Sequence, residues 1–168
     1  MLGAAVGLMA AVLVTLFRLC IEFGQQFLLP DSQIGNYEAL SGWMRFLFPV
    51  LGALILGFVF EKLPVEKRSV GIVHLLDYLR FRKQQLPFSN AVVQFFGGLI
   101  AIVSGHSVDR EGPGVHLGAA NAALIGRKMH LSDDEDYLLA AAGGAAAIAA
   151  AYNTPLAAVI FVIEVFRV

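Results

Sequence analysis

Charge is what this sequence has least of. Of 168 residues only 15% are charged, against 58% hydrophobic, and the mean hydropathy is +0.72. A soluble domain carries about 25% charged residues, so the deficit points to a membrane chain. The charges also nearly cancel, 12 Lys and Arg against 13 Asp and Glu, for a net charge of -1. That excludes the basic footprint of a nucleic-acid binder. Cysteine is all but missing. The lone Cys20 excludes an internal disulfide and matches no metal spacing; it reads as a small buried hydrophobe. His74, His106, His116 and His130 show no ligand spacing and no HExxH pattern, so neither metal nor cofactor is expected. His116 reads as a packed, hydrogen-bonded histidine, with a place along a pathway as the alternative. The apolar N-terminus lacks the basic n-region and cleavage site of a signal peptide and reads as a transmembrane helix.

What is present is a series of apolar segments. Leu2 to Leu29 is interrupted only by Arg18, Glu22, Gln25 and Gln26, long enough to cross a bilayer with tilt. Leu29-Pro30-Asp31 ends it, and the loop to Ser41 holds Asp31 and Glu38 but no Lys or Arg. A second span runs from about Trp43 to Phe60, with Gly52 and Gly57 expected to allow close packing. Lys62, Lys67 and Arg68 then mark an inside loop by the positive-inside rule, which puts the N-terminus inside and the first loop outside. Gly71 to Phe81 is too short to span and is amphipathic, so it reads as re-entrant or interfacial, with Asp77 and Arg80 as an i,i+3 surface pair. Arg80, Arg82 and Lys83 fall inside. Phe88 to Val103 crosses outward, and Gly112 to Ile125 returns to Arg127-Lys128. Ser132 ahead of Asp133, Asp134 and Glu135 predicts an N-cap with an acidic first turn. Tyr137 to Ala151 is nearly all Ala and Gly, Asn153-Thr154-Pro155 breaks it, and Leu156 to Phe166 is apolar. Lipid offers helices no hydrophobic drive to associate, so small residues carry the packing. Gly114-VHL-Gly118 and the alanine-rich segment are therefore expected inside the bundle. The fold class is all-α: a polytopic membrane protein with tilted, broken and re-entrant helices.

The stretch Ser104–Asn121, SGHSVDREGPGVHLGAAN, organises the rest. A carboxylate at Glu111, between two apolar segments, is expensive in a membrane and marks a functional site. Gly112-Pro113 behind it predicts a helix start, since proline suits the first turn. There backbone N–H groups and the positive dipole end attract anions. The plainer reading of Glu111 is a structural carboxylate that caps the helix or pairs with Arg110. Ser104-Gly105-His106 hints at an intramembrane serine protease, but residues two apart on a helix do not face each other, so no catalytic pair is expected and the protein is not read as an enzyme. Apolar segments broken at Ser69–Ile72, Asp109–Gly114 and Tyr152–Pro155 have the pattern of transporters whose half-helix N-termini converge on an ion.

These residues carry a family resemblance. Asp109-Arg110-Glu111-Gly112-Pro113 resembles the GREGP motif of the CLC family of chloride channels and proton-coupled chloride exchangers. Ala149 to Ala157, AAAYNTPLA, resembles AAAFNAPLAG and is followed by Phe161-Val162-Ile163-Glu164, while Phe95-Phe96-Gly97-Gly98 resembles the helix before GREGP. The resemblance implies a double-barrelled homodimer in the lipid bilayer, each subunit passing chloride or another small anion, some members with protons. It gives residues 1–168 as a partial CLC transmembrane domain, most of the first of two inverted repeats. The chain alone would then leave a half-built pathway, and an incomplete piece without transport of its own is one expectation. Glu111 matches the gating glutamate. Val70, Gly71, Ile72, Arg110, Gly112 and Pro113 fall at or beside the anion-binding positions, and Glu111 with Glu164 are the proton-path candidates. Three departures stand out. Val70 replaces the serine of GSGIP, Asp109 replaces the first glycine of GREGP, and Val165 replaces the inner proton-transfer glutamate. The last favours channel-like or weakly coupled transport; the alternative is a proton/chloride exchanger with an atypical inner donor. Multi-pass insertion, in the plasma (inner) membrane if bacterial, follows.

Overall fold

The computed structural model describes residues 2–81 and 85–166, with nothing to be said of the side chains of Phe81 and Phe166. The expected positions of Arg82 and Lys83 therefore lie outside the described residues. Within them the chain is helical, with no strand: α1 (Leu2–Leu28), α2 (Gly42–Lys62), α3 (Gly71–Phe81), α4 (Phe88–Val103), α5 (Glu111–Lys128), α6 (Asp133–Tyr152) and α7 (Pro155–Phe166). Helices α1 and α2, of 27 and 21 residues, are long and apolar enough to cross a membrane. Helix α3, of 11 residues, is the short element that the sequence predicts, and the expected breaks at Asp109–Gly114 and Tyr152–Pro155 fall where α5 and α7 begin; α4, expected to cross outward, has 16 residues.

Helix α1 shows how a helix with few polar residues still has two faces. Val6, Ala10, Val14, Phe17, Ile21 and Gln25 recur every three or four residues and are buried, as one helical stripe must be to face a partner. Leu8, Val12, Leu16, Leu19 and Phe23 lie on the other side and are exposed. The buried stripe packs on α4, α5 and α6, with Phe17 and Phe95 edge to face at 5.2 Å between centroids.

The centre of the bundle is the α5–α6 crossing. A Cβ on Gly118 would stand 2.5 Å from the Gly143 carbonyl oxygen, and one on Gly143 would stand 2.5 Å from that of Gly118. Only glycine at both places lets the two backbones meet. Ala119, Ala122, Ala123, Ala140, Ala141 and Ala147 are buried around them, so the expectation of an interior position for both segments holds. Gly57 does not do what was expected of it. Its Cβ would meet nothing within 4 Å, whereas Gly52 sits hard against Ser104 and His106. Helix α2 is buried only at Gly52, with Phe60 also set beside Gly97 of α4, and most of its remaining surface is exposed.

Polar groups pin the two ends. At one end Gln25 donates to the Tyr37 hydroxyl at 3.1 Å, and Tyr37 in turn reaches the Ile102 and Val103 carbonyls at 2.9 and 3.1 Å. Burial in the loop pushes the Tyr37 phenol up from its usual range, with the Gln25 bond opposing. Arg45 donates to the carbonyls of Glu38 and Leu40. At the other end Arg68 closes the α2 terminus on the Glu61 and Leu63 carbonyls, Asn90 binds those of Glu66 and Ser69, and Arg127 binds that of Leu86. Lys62, Arg68 and Arg127 thus gather at one end, as the positive-inside reading requires. Arg80 donates to the Val165 carbonyl at 2.6 Å, tying α3 to α7 where a surface pair with Asp77 was expected. Ser132 sits in a capping box with Glu135, whose carboxylate accepts from the Ser132 N–H at 3.0 Å and its hydroxyl at 2.7 Å.

The Tyr78 hydroxyl on α3 donates to buried Asp136 on α6 at 2.6 Å, while Asp136 Oδ1 has no hydrogen-bond partner. Removing a donor from a buried carboxyl costs about 1–3 kcal/mol. Tyr78→Phe is accordingly expected to lower the thermal midpoint of the detergent-solubilised protein, with little change in elution volume. An unchanged midpoint would show that this bond contributes nothing.

Candidate functional site

Two helix starts face one cavity. Helix α3 begins at Gly71, whose φ of +81° lies where side chains are strained and glycine is not. Helix α5 begins at Glu111-Gly112-Pro113. Ile72 and Gly112 are neighbours, with 3.8 Å between Ile72 Cδ1 and a Cβ placed on Gly112. Half-way along α4, Gly98 leaves room for Pro113, whose Cβ and Cγ would be 3.4 Å from a Cβ at Gly98. The space between them is an open-sided cleft of ≈ 560 Å³. Val70, Gly71, Ile72, Gly112 and Pro113 all line it. Sequence reasoning put these five residues in one site, and the fold brings them to one wall, though they come from two helices 40 positions apart. Two helix N-termini, each the positive end of its helix dipole, open on this one space.

Two of the motif's three charged residues, Arg110 and Glu111, stand outside this wall. The Glu111 carboxylate accepts from the Arg110 N–H at 3.2 Å and lies 3.7 Å from Arg110 Nε, and it interacts with the hydroxyl of Tyr152 at the end of α6. Arg110 lines a second, smaller space of ≈ 220 Å³ with Arg18 and Glu22 of α1. Glu111 is thus half-buried at the side of the larger cavity. The carboxylate on the cavity wall is that of Asp109, which accepts from the Gly112 N–H at 2.9 Å. Glu164 is exposed in the last turn of α7. The α6–α7 turn, with Asn153 left-handed at φ 56°, is by Glu111 at the other end of that helix. Glu111 and Glu164 are therefore separated by about 14 Å of helix α7.

Sequence reasoning missed three groups. Tyr152 stands in the place of the phenylalanine in AAAFNAPLAG, and that substitution was the available signal. Gln94 is 6% exposed and lines the cavity. His74 and His116 meet inside the bundle with their rings tilted by 31°, His74 Nδ1 lying 3.1 Å from His116 Nε2, and each sits one helical turn inside its helix's opening glycine. For His116, which is fully buried, the packed, hydrogen-bonded reading is the one observed.

One expectation needs correction. Ser104 Oγ and His106 Nδ1 do meet, at 2.9 Å. The helix rule does not apply because α4 ends at Val103 and Gly105 turns the chain at φ +85°. The contact is still not a nucleophile with its base. His106 Nδ1 also lies 3.1 Å from the Ala101 carbonyl, an oxygen that only accepts. Nδ1 therefore carries the proton and cannot take one from the serine. Ser104 spends its own proton on the Ile100 carbonyl at 2.6 Å.

Comparison with known proteins agrees with this architecture. Residues 52–168 match the family model for the voltage gated chloride channel. A ClcB-like chloride channel protein of Ralstonia nicotianae is 30% identical over 170 residues, covering 98% of this chain and 40% of the relative. The H(+)/Cl(-) exchange transporter ClcA of Vibrio parahaemolyticus is 32% identical over 175 residues, 99% of this chain and 36% of the relative. The voltage-gated ClC-type chloride channel ClcB of Salmonella typhimurium is 28% identical over 173 residues, with 98% and 40% covered. The chain thus spans about two fifths of the length of these relatives. An all-helical bundle with two membrane-length helices, the ordered motifs around Glu111 and a family match over more than half its residues lead to one conclusion: the chain belongs to the voltage gated chloride channel family.

Proposed function

We propose that this chain forms one half of a chloride pathway, in which a small anion rests between the N-termini of α3 and α5 and Glu111 acts as the mobile gate. The observation that carries the reading is the convergence of two helix starts on one cavity, with Glu111 beside it. Val70 offers no hydroxyl, so backbone N–H groups of Gly71, Ile72 and Gly112 would supply most of the binding. Arg110 adds positive potential and holds Glu111 to the side. The pathway is completed by a second inverted repeat in a homodimer, within the lipid bilayer, and in a bacterium this is the inner membrane.

Transport is channel-like or weakly proton-coupled, because Val165 cannot carry a proton. The exchanger alternative draws on the exchange activity named for the Vibrio relative, with Glu164 as the inner donor. Liposomes loaded with chloride and carrying the protein that contains this chain test the reading. Chloride efflux without uphill proton movement is the expected result. Proton pumping against its gradient would establish the exchanger instead, and absence of efflux would overturn both. Efflux from liposomes carrying residues 1–168 alone should be nil, and a current from them would show that the first repeat suffices.

A further inference from the structure

The gating reading leaves two groups in the cavity without a part. The first is Asp109. Its Oδ1 holds the Gly112 N–H at 2.9 Å, one of the few amides that the start of α5 can offer. Pro113 has no N–H, and the Gly114 N–H is already bonded to the Arg110 carbonyl at 3.2 Å. A carboxylate oxygen on that amide stands where a free anion would bind. The second is Gln94, half-way along α4 and 94% removed from solvent, whose Oε1 has no hydrogen-bond partner. That oxygen lies 3.8 Å from where a side chain on Gly71 would start, so it faces the opening turn of α3. A buried amide with an unmet oxygen calls for an explanation. The terminal torsion of a glutamine is broad and roughly two-fold, so a half-turn replaces Oε1 with the two N–H donors of Nε2.

We propose that Asp109 is a resident carboxylate that competes with the permeant anion for the Gly112 amide, and that Gln94 supplies the side-chain donor that holds the anion once Asp109 has left. This deepens the gating reading and rests on it. A neutral amide and backbone N–H groups suit a small monovalent inorganic anion. Among the described residues lining the cavity there is no Lys or Arg, and the nearby Asp109 charge disfavours a divalent one. The glutamine takes over from the hydroxyl that Val70 lacks, reaching the same space from a different helix.

The test is chloride binding to the detergent-solubilised protein containing this chain, measured by calorimetry, with flux measured in parallel. Asp109→Asn removes the competing charge and is expected to bind chloride about tenfold more tightly. Gln94→Leu removes the donor and is expected to bind about tenfold more weakly. Gln94→Glu keeps the shape but puts a second acid in the cavity, so its chloride binding should be lost at neutral pH. Affinities within twofold of the parent for Asp109→Asn and Gln94→Leu, in variants that elute as the parent does, overturn the proposal. Should either leucine or asparagine variant fail to fold, Gln94→Glu and Asp109→Gly decide by the same criteria. Glu111→Gln is run beside them. If it alters the pH dependence of flux while the cavity variants bind normally, only the present proposal falls. If all are silent, the gating reading falls with it.

Discussion

Gly118→Leu is expected to abolish recovery of folded protein. The Cβ alone would lie 2.5 Å from the Gly143 carbonyl oxygen and 2.7 Å from Ala147 Cβ, and backbone cannot turn aside as a side chain can. Ordinary overpacking costs about 1–3 kcal/mol, and here the whole crossing must open, pulling apart alanines that reach across it. Domain stability is about 5–15 kcal/mol, so the loss is a large share of the whole. Two controls separate this from a general intolerance of side chains on small-residue helices. Gly114→Ala places its Cβ at 3.6 Å from Val14, an ordinary contact, and Gly57→Leu enters open space. Both should elute as a single species in detergent with near-parent thermal midpoints, while Gly118→Leu should appear as aggregate. A monodisperse Gly118→Leu protein would mean that α5 and α6 do not cross at these glycines.

That crossing also shows what the sequence could and could not reveal. The density of Ala and Gly in α5 and α6 identified both as interior, because a lipid-facing helix has no use for small side chains. It did not say which glycines matter. GxxxG spacing pointed to Gly114 with Gly118, yet the close partner of Gly118 is Gly143 on another helix, and pairings between helices are absent from local patterns. Helix limits were legible from local chemistry: Pro30, Pro113, Pro155 and Ser132 each begin or end an element near where proline and N-cap rules place it. The gathering of Gly71 and Gly112 on one cavity was legible in the breaks at Ser69–Ile72 and Asp109–Gly114, which have the pattern of helix starts that converge on an ion, and in the family resemblance. Composition holds no trace of it, and neither does periodicity.

Within the site, the motif identified the residues but not their side-chain directions. Asp109 replaces a glycine, and its short side chain folds back three residues to the Gly112 N–H, a local bond that Asp makes readily at helix starts. Glu111 has a longer side chain and an arginine just before it, and it turns instead to Arg110 and Tyr152. Sequence spacing gives each residue a position on the helix; which carboxylate reaches the terminal amide depends on chain length and competing donors. The same limit hid the His74–His116 contact, whose partners lie 42 positions apart.

Glu111→Ala and Glu111→Gln are expected to carry chloride at rates that no longer respond to pH. A protonated Glu111 neither pairs with Arg110 nor repels an anion approaching the α5 terminus, so flux should rise as pH falls. A unit charge about 4 Å from an anion is worth roughly 4 kcal/mol at an effective dielectric constant of 20. Arg110, at 3.7 Å from Glu111, offsets part of this, and at least about tenfold in rate is left for the gate to control. Glutamine imitates the protonated side chain and should give the high rate at every pH. Alanine also removes the bulk and should be at least as fast. Arg110→Gln separates gating from simple electrostatics: without its partner the Glu111 carboxylate is free to swing onto the pathway, so flux at neutral pH should fall while the rise on acidification is kept. The measurement is chloride efflux from liposomes across a pH series. If both Glu111 variants kept the parent's pH response, the carboxylate would be a structural partner of Arg110 and the gate would have to be sought elsewhere, first at Asp109.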